Sequence, residues 1–156
     1  MSLHLSNRLI IGVVFAALSL FIAGAAAQEH DPIEIARACT AAVHTAANNT
    51  SEDMRTIRAT TIDAVRALDE DDAADAAITA AGNAGRERIN QRARAGVARV
   101  TGIVENCLDM LGDLDTPVWV EARVIRAGGN GIDRINAVRD RSTDAVIAAV
   151  RTALAD

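Results

Sequence analysis

Aromatic residues are almost missing from this chain. It has no Tyr, and both Phe residues, Phe15 and Phe21, fall in an apolar N-terminal run, so Trp119 is the one aromatic beyond residue 27. Any core built there is aliphatic and thin. Lysine is absent as well, which makes all 16 basic residues arginine and leaves no Gly-Lys-Ser/Thr end for a phosphate loop. Serine beyond residue 27 is limited to Ser51 and Ser142, and neither His30 nor His44 has a sequence-adjacent partner, so ordinary nucleophilic and acid-base constellations are hard to assemble. Two cysteines, Cys39 and Cys107, and two prolines, Pro32 and Pro117, complete the scarce residues.

What is plentiful first is apolar sequence at the N-terminus. Residues 9–27 carry no charge, follow Arg8 and end in Ala25-Ala26-Ala27, which reads as a secretory signal peptide over residues 1–27. A single helical domain over 28–156 is then expected, in the periplasm or outside the cell. If the leader is retained, its 19 residues approach the length of a membrane span, and the protein becomes a membrane-tethered coiled coil. Removal of Arg8 with the leader leaves 15 Arg against 21 acids, a net charge of about −6, which argues against nucleic acid as a partner.

The rest of the chain reads as all-α, an antiparallel helical bundle of about four helices with a long C-terminal helical hairpin. Alanine nearly matches Val, Ile, Leu and Met combined, a balance suited to closely approaching helices rather than strands. Asp31-Pro32 is a helix start, with Ile33, Ala36, Val43 and Ala47 on the apolar side and an end near Asn48-Asn49. Thr50 or Ser51 then caps a second helix whose stripe is Ile57, Ile62, Val65 and Leu68. From Ile89 the positions Ala93, Gly96, Val100, Ile103 and Cys107 step as a heptad seam, widened by Val97, Val104 and Leu111. A turn over Gly112 to Asp115 precedes Thr116-Pro117, the start of a last helix carrying Val118, Ala122, Ile125, Ile132, Ile135, Val146, Val150 and Leu154. Two similar segments, Gly82 to Asn90 and Gly129 to Asn136, share Arg-Ile-Asn, a weak sign of duplication.

In an exported chain Cys39 and Cys107 are expected to pair. With a short first helix, an unbroken helix from Asp72 to Leu111 would lift Cys107 to roughly 50 Å above the bundle base against roughly 12 Å for Cys39. A reversal at Gly82 to Gly85 brings the two level, so the disulfide predicts a reversal there.

Candidate chemistry is sparse. Cleavage after Ala27 would leave Gln28-Glu29-His30, a spacing that offers Cu(II) or Ni(II) a square-planar nitrogen site. His44, Met54 and Met110 are conceivable axial ligands, yet no Cys-x-x-Cys-His or Glu-x-x-His motif accompanies them. Asp69 to Asp72 with Asp75 lacks the glycine and final glutamate of a calcium loop and reads as a solvated helix face or helix start. Arg86, Arg88, Arg92, Arg94 and Arg99 form a basic stretch, a possible interaction face or the pairing partner of that acidic run. Gly128 to Gly131 reads as a helix break or hinge, and Asn48 to Ser51 holds two overlapping glycosylation sequons.

The expected function is a non-enzymatic binding or scaffold module without a cofactor. It would act on an unknown protein partner or by self-association, through the heptad face of Ile89 to Leu111 or the arginine face beside it. The alternative is a periplasmic metal-handling (Cu/Ni) or redox bundle using His30, His44 and Met54.

Overall fold

The structure, a computed structural model, describes residues 31–71 and 73–155. The leader expected over 1–27 and the His30 metal position lie outside the described residues. Among the described residues there are three helices and no strand: α1 (Pro32–Glu70), α2 (Asp75–Gly112) and α3 (Val118–Ala153). The expectation of an all-helical bundle stands, while the count of about four helices is corrected to three.

The first correction falls at Asn48-Asn49-Thr50-Ser51, where α1 continues without a break. A helix ends where its backbone gains something by leaving, and here it would lose. The Thr50 and Ser51 hydroxyls donate to the carbonyls of Ala46 and Ala47, each at 2.8 Å, so neither is available as a cap. Both side chains are buried and continue the heptad spacing of Ala36, Cys39, Val43, Ala46 and Ala47 toward Met54. The second correction falls at Gly82 to Gly85, which is helix and not a reversal. No described glycine has a positive φ, and Gly82, Gly85 and Gly96 all lie on the buried side of α2.

The break between α1 and α2 falls instead between Glu70 and Asp75, at the acidic run. Carboxylates at Asp69, Glu70 and Asp71 oppose the negative C-terminal dipole of α1, whereas Asp75 complements the positive N-terminus of α2. With α1 a single rod of 39 residues, Cys39 stands 31 residues from its end and Cys107 stands 32 residues into α2, each about 47 Å from the turn. The disulfide forms, with a Cα–Cα separation of 6.1 Å. The cysteines are level because α1 is unbroken through Asn48 and Asn49, so no reversal at Gly82 to Gly85 is needed to bring them together.

Glycine and β-branched residues set the register between the rods. A Cβ added to Gly96 would overlap Thr50, and one added to Gly85 would overlap Thr61, so contact positions rise along α1 as they fall along α2. Gly82 meets Val150 in the same way, Gly128 would place a Cβ 2.6 Å from Val104 Cγ2, and Gly131 would place one 3.1 Å from Val43 Cγ1. The glycines of Gly128 to Gly131, expected as a hinge, sit within an unbroken α3. Of these, Gly128 and Gly131 allow close approach and Gly129 faces open space.

The main core joins Val43, Ala47, Met54, Ile89, Val100, Ile135, Val138 and Val146, and a second cluster around the disulfide joins Ala36, Leu111, Val120 and Val124. On α3 the buried face is Val120, Val124, Ala127, Gly128, Gly131, Ile135, Val138, Ser142 and Val146. Val118, Ala122, Ile125 and Leu154, expected in the apolar stripe, are exposed. Ile33 is also exposed, at 38%.

Two predictions follow from this packing. Thr61 Cβ lies 2.7 Å from the methyl carbon that Gly85→Ala would add, and Thr50 Cβ lies 2.9 Å from that of Gly96→Ala, so no side-chain rotation relieves either overlap. Overpacking of about 1–3 kcal/mol should outweigh the gain of about 1 kcal/mol in helix propensity, lowering denaturant stability in both variants. Gly102→Ala meets nothing within 4 Å and should raise stability by up to about 1 kcal/mol in the same titration. Separately, the disulfide spans 68 residues of sequence, so the double variant Cys39→Ala/Cys107→Ala should lose about 4 kcal/mol in urea unfolding.

Candidate functional site

The five arginines singled out in α2 do not share one face. At roughly 100° per residue Arg88, Arg92 and Arg99 fall on one flank of the buried seam and Arg86 and Arg94 on the other. Arg92 reaches across to α1, where its Nε lies 2.7 Å and its Nη2 2.5 Å from Asp53 Oδ2. Arg94 donates to Glu87 at 2.9 Å on its own helix, and Gln91 donates to the same carboxylate at 3.0 Å. These two bonds, that of Gln91 foremost, hold the Glu87 carboxyl below its usual range. Among the described residues none of the five pairs with the acidic run at the turn, and their ion pairs go to Asp53 and Glu87.

The heptad face of Ile89 to Leu111 is consumed inside the molecule. Ile89, Ala93, Gly96, Val100, Cys107 and Leu111 are buried against α1 and α3, and Ile103 is partly so. That face is core and offers nothing to a partner.

The candidate ligands do not converge either. His44 is exposed, Met54 is fully buried in the main core and Met110 is 46% exposed near the disulfide end. Among the described residues no three of His, Cys, Asp and Glu come together as a metal group, and no helix is long and apolar enough to cross a membrane.

The described surface includes two shallow depressions lined in part by arginines. One lies between α2 and α3, where Ala93, Val97 and Ala98 form an apolar floor beside Arg94, Asn136 and Arg139. Both arginines there already hold a carboxylate on their own helix, Glu87 and Asp140. The other lies wholly on α3, lined by Trp119, Ala122, Arg123 and Arg126. Its spacing, i, i+3, i+4 and i+7, is that of the four-residue hole which receives one knob from a facing helix. Arg123 and Arg126 make no ion pair among the described residues.

This α3 surface is where the structure leaves large apolar side chains in water. Val118 is 79% exposed, Trp119 56% and Ile125 55%, all within the first turns of one helix. Their exposure follows from the local sequence. Val118, Ala122 and Ile125 form one apolar stripe and Val120, Val124 and Ala127 another on the opposite side, and only one of the two can face the bundle. The expected core stripe of Val118, Ala122 and Ile125 is therefore corrected: each stripe holds two β-branched residues and an alanine, and it is Val120, Val124 and Ala127 that are buried.

One buried polar group stands apart. Ser142, 1% exposed, is a described buried residue whose hydroxyl oxygen has no hydrogen-bond partner, unlike Thr50, Ser51 and Thr61, which bond to carbonyls of their own helix. Ser142→Ala removes that desolvated group and improves helix propensity, so it should raise stability by about 1 kcal/mol in thermal or urea unfolding.

No protein-family model matches this chain, and neither a curated protein nor a solved structure shows significant similarity to it.

Proposed function

We propose that this is an exported, non-enzymatic helical-bundle protein that serves as a binding or scaffold module. The observation that carries the reading is the outer face of α3, where Val118, Trp119 and Ile125 stand in water beside Arg123 and Arg126, which have no ion pair among the described residues. Tryptophan and arginine are the residues most enriched where partners bind, and a hydrophobic centre with a charged edge is the usual anatomy of such a surface. The antiparallel course of the three helices, with α2 and α3 as the C-terminal hairpin, belongs to the same reading. It is supported by the register of Thr50 with Gly96, Thr61 with Gly85, and Val150 with Gly82. Long rods pinned in one register present a stiff outer face, which suits a scaffold. Export is supported by the Cys39–Cys107 disulfide, since such bonds persist in oxidising compartments.

Photo-crosslinking tests the reading. A crosslinking residue placed at Ala122, in the middle of the face, should give covalent protein adducts in the cell that makes the protein. The same group at Thr101, exposed on α2, should not. A chain that gives no adduct at Ala122, or that turns over a substrate as a purified monomer, overturns the proposal.

A further inference from the structure

The outer face of α3 has the pattern of a second coiled-coil seam. Val118, Ala122, Ile125 and Gly129 step 4-3-4 along the helix, all exposed, on the side away from the buried Val120, Val124, Ala127 and Gly131. An added Cβ at Gly129 would meet nothing within 4 Å, so a second helix has room to approach there. In heptad terms Ala122 and Gly129 occupy a, and Val118 and Ile125 occupy d. Glu121 is then at g and Arg126 at the e position that follows, one charge on each flank of the stripe.

Neither Glu121 nor Arg126 has an ion pair or hydrogen bond among the described residues. In two helices packed in the same direction, a g residue faces the e residue five places on in the other helix, the usual site of interhelical ion pairs. The stripe is therefore complementary to itself. A two-fold axis parallel to α3 sets Glu121 against Arg126 of the partner subunit, twice, while the apolar a and d residues close on one another. An unrelated acidic partner would satisfy Arg126 and leave Glu121 repelled; a second copy satisfies both.

Resting on the reading of this face as a binding surface, we propose that its occupant is a second copy of the same chain, packed α3 against α3 in the same direction. The seam is short, about 17 Å from Val118 to Gly129, and beyond it Ile132 turns into the bundle's own core. An interface of that length belongs to the small, weakly associating class, so the dimer forms as concentration rises.

Sedimentation of the mature chain at low salt, from about 1 μM to about 1 mM, should show the mean mass climb from monomer toward dimer. Trp119, the one fluorophore outside the leader, should shift its emission to the blue over the same range as its ring leaves water. Arg126→Glu and Glu121→Arg should each hold the protein monomeric with unchanged helical circular dichroism, and the two together should restore the dimer. A wild-type chain that stays monomeric at about 1 mM overturns the proposal, as does a dimer indifferent to both charge reversals, or a double variant that fails to recover. Adducts at Ala122 to a different protein, with the purified chain monomeric, overturn self-association and leave the binding-module reading standing.

Discussion

Close approach of helix backbones is the constraint on which this structure depends. Beyond residue 27 the chain has no Phe or Tyr to fill the space between helices, and its one Trp points outward. Three rods can bury a continuous core from Ala, Val, Ile and Thr only if their axes come near enough for small side chains to touch. Glycines on the seams make that possible: the Thr50 and Thr61 side chains of α1 occupy the spaces a side chain would need at Gly96 and Gly85 of α2. A β-branched side chain has few rotamers in a helix, so each fit fixes both axial position and rotation. The buried hydroxyls of Thr50 and Thr61 bond to carbonyls of α1 itself, so a polar residue serves here as a compact knob.

Register, once set, determines what remains at the surface. The Cys39–Cys107 bond closes one end of the α1–α2 pair and the acidic turn before Asp75 closes the other, so these two rods are joined at both ends. Helix α3 fits beside them with its Val120, Val124 and Ile135 face inward, against the disulfide cluster and the main core. Its other apolar stripe has nowhere inside to go. A helix with two apolar stripes in a three-helix bundle necessarily exposes one, and that is the physical origin of the candidate binding surface.

Charge adds direction to that surface. The arginines of α2 are divided between two flanks and partly neutralised by Asp53 and Glu87, whereas Glu121 and Arg126 on α3 have no ion pair among the described residues and sit across an apolar line. Exposed ion pairs within the chain contribute little to stability. The same charges placed at the edge of an apolar contact select a partner and a register.

Much of the architecture was legible in the residues themselves. Helix type, the start at Asp31-Pro32, the seam from Ile89 to Leu111, the turn after Gly112 and the pairing of Cys39 with Cys107 all follow from propensity, heptad spacing and the scarcity of cysteine. These are local signals, or a count of two. Three decisions belonged to the tertiary structure alone. Whether Asn48 to Ser51 ends a helix and whether Gly82 to Gly85 turns the chain depend on what lies opposite. A serine or threonine caps as readily as it back-bonds, and a glycine turns a chain as readily as it admits a neighbouring backbone. Which stripe of α3 faces inward depends on the holes that α1 and α2 present, and no spacing within α3 encodes that. The sequence by itself determined amphipathic helices and the bond that ties two of them; only their packing decided how many rods there are, how long each is and which apolar face is left for another molecule.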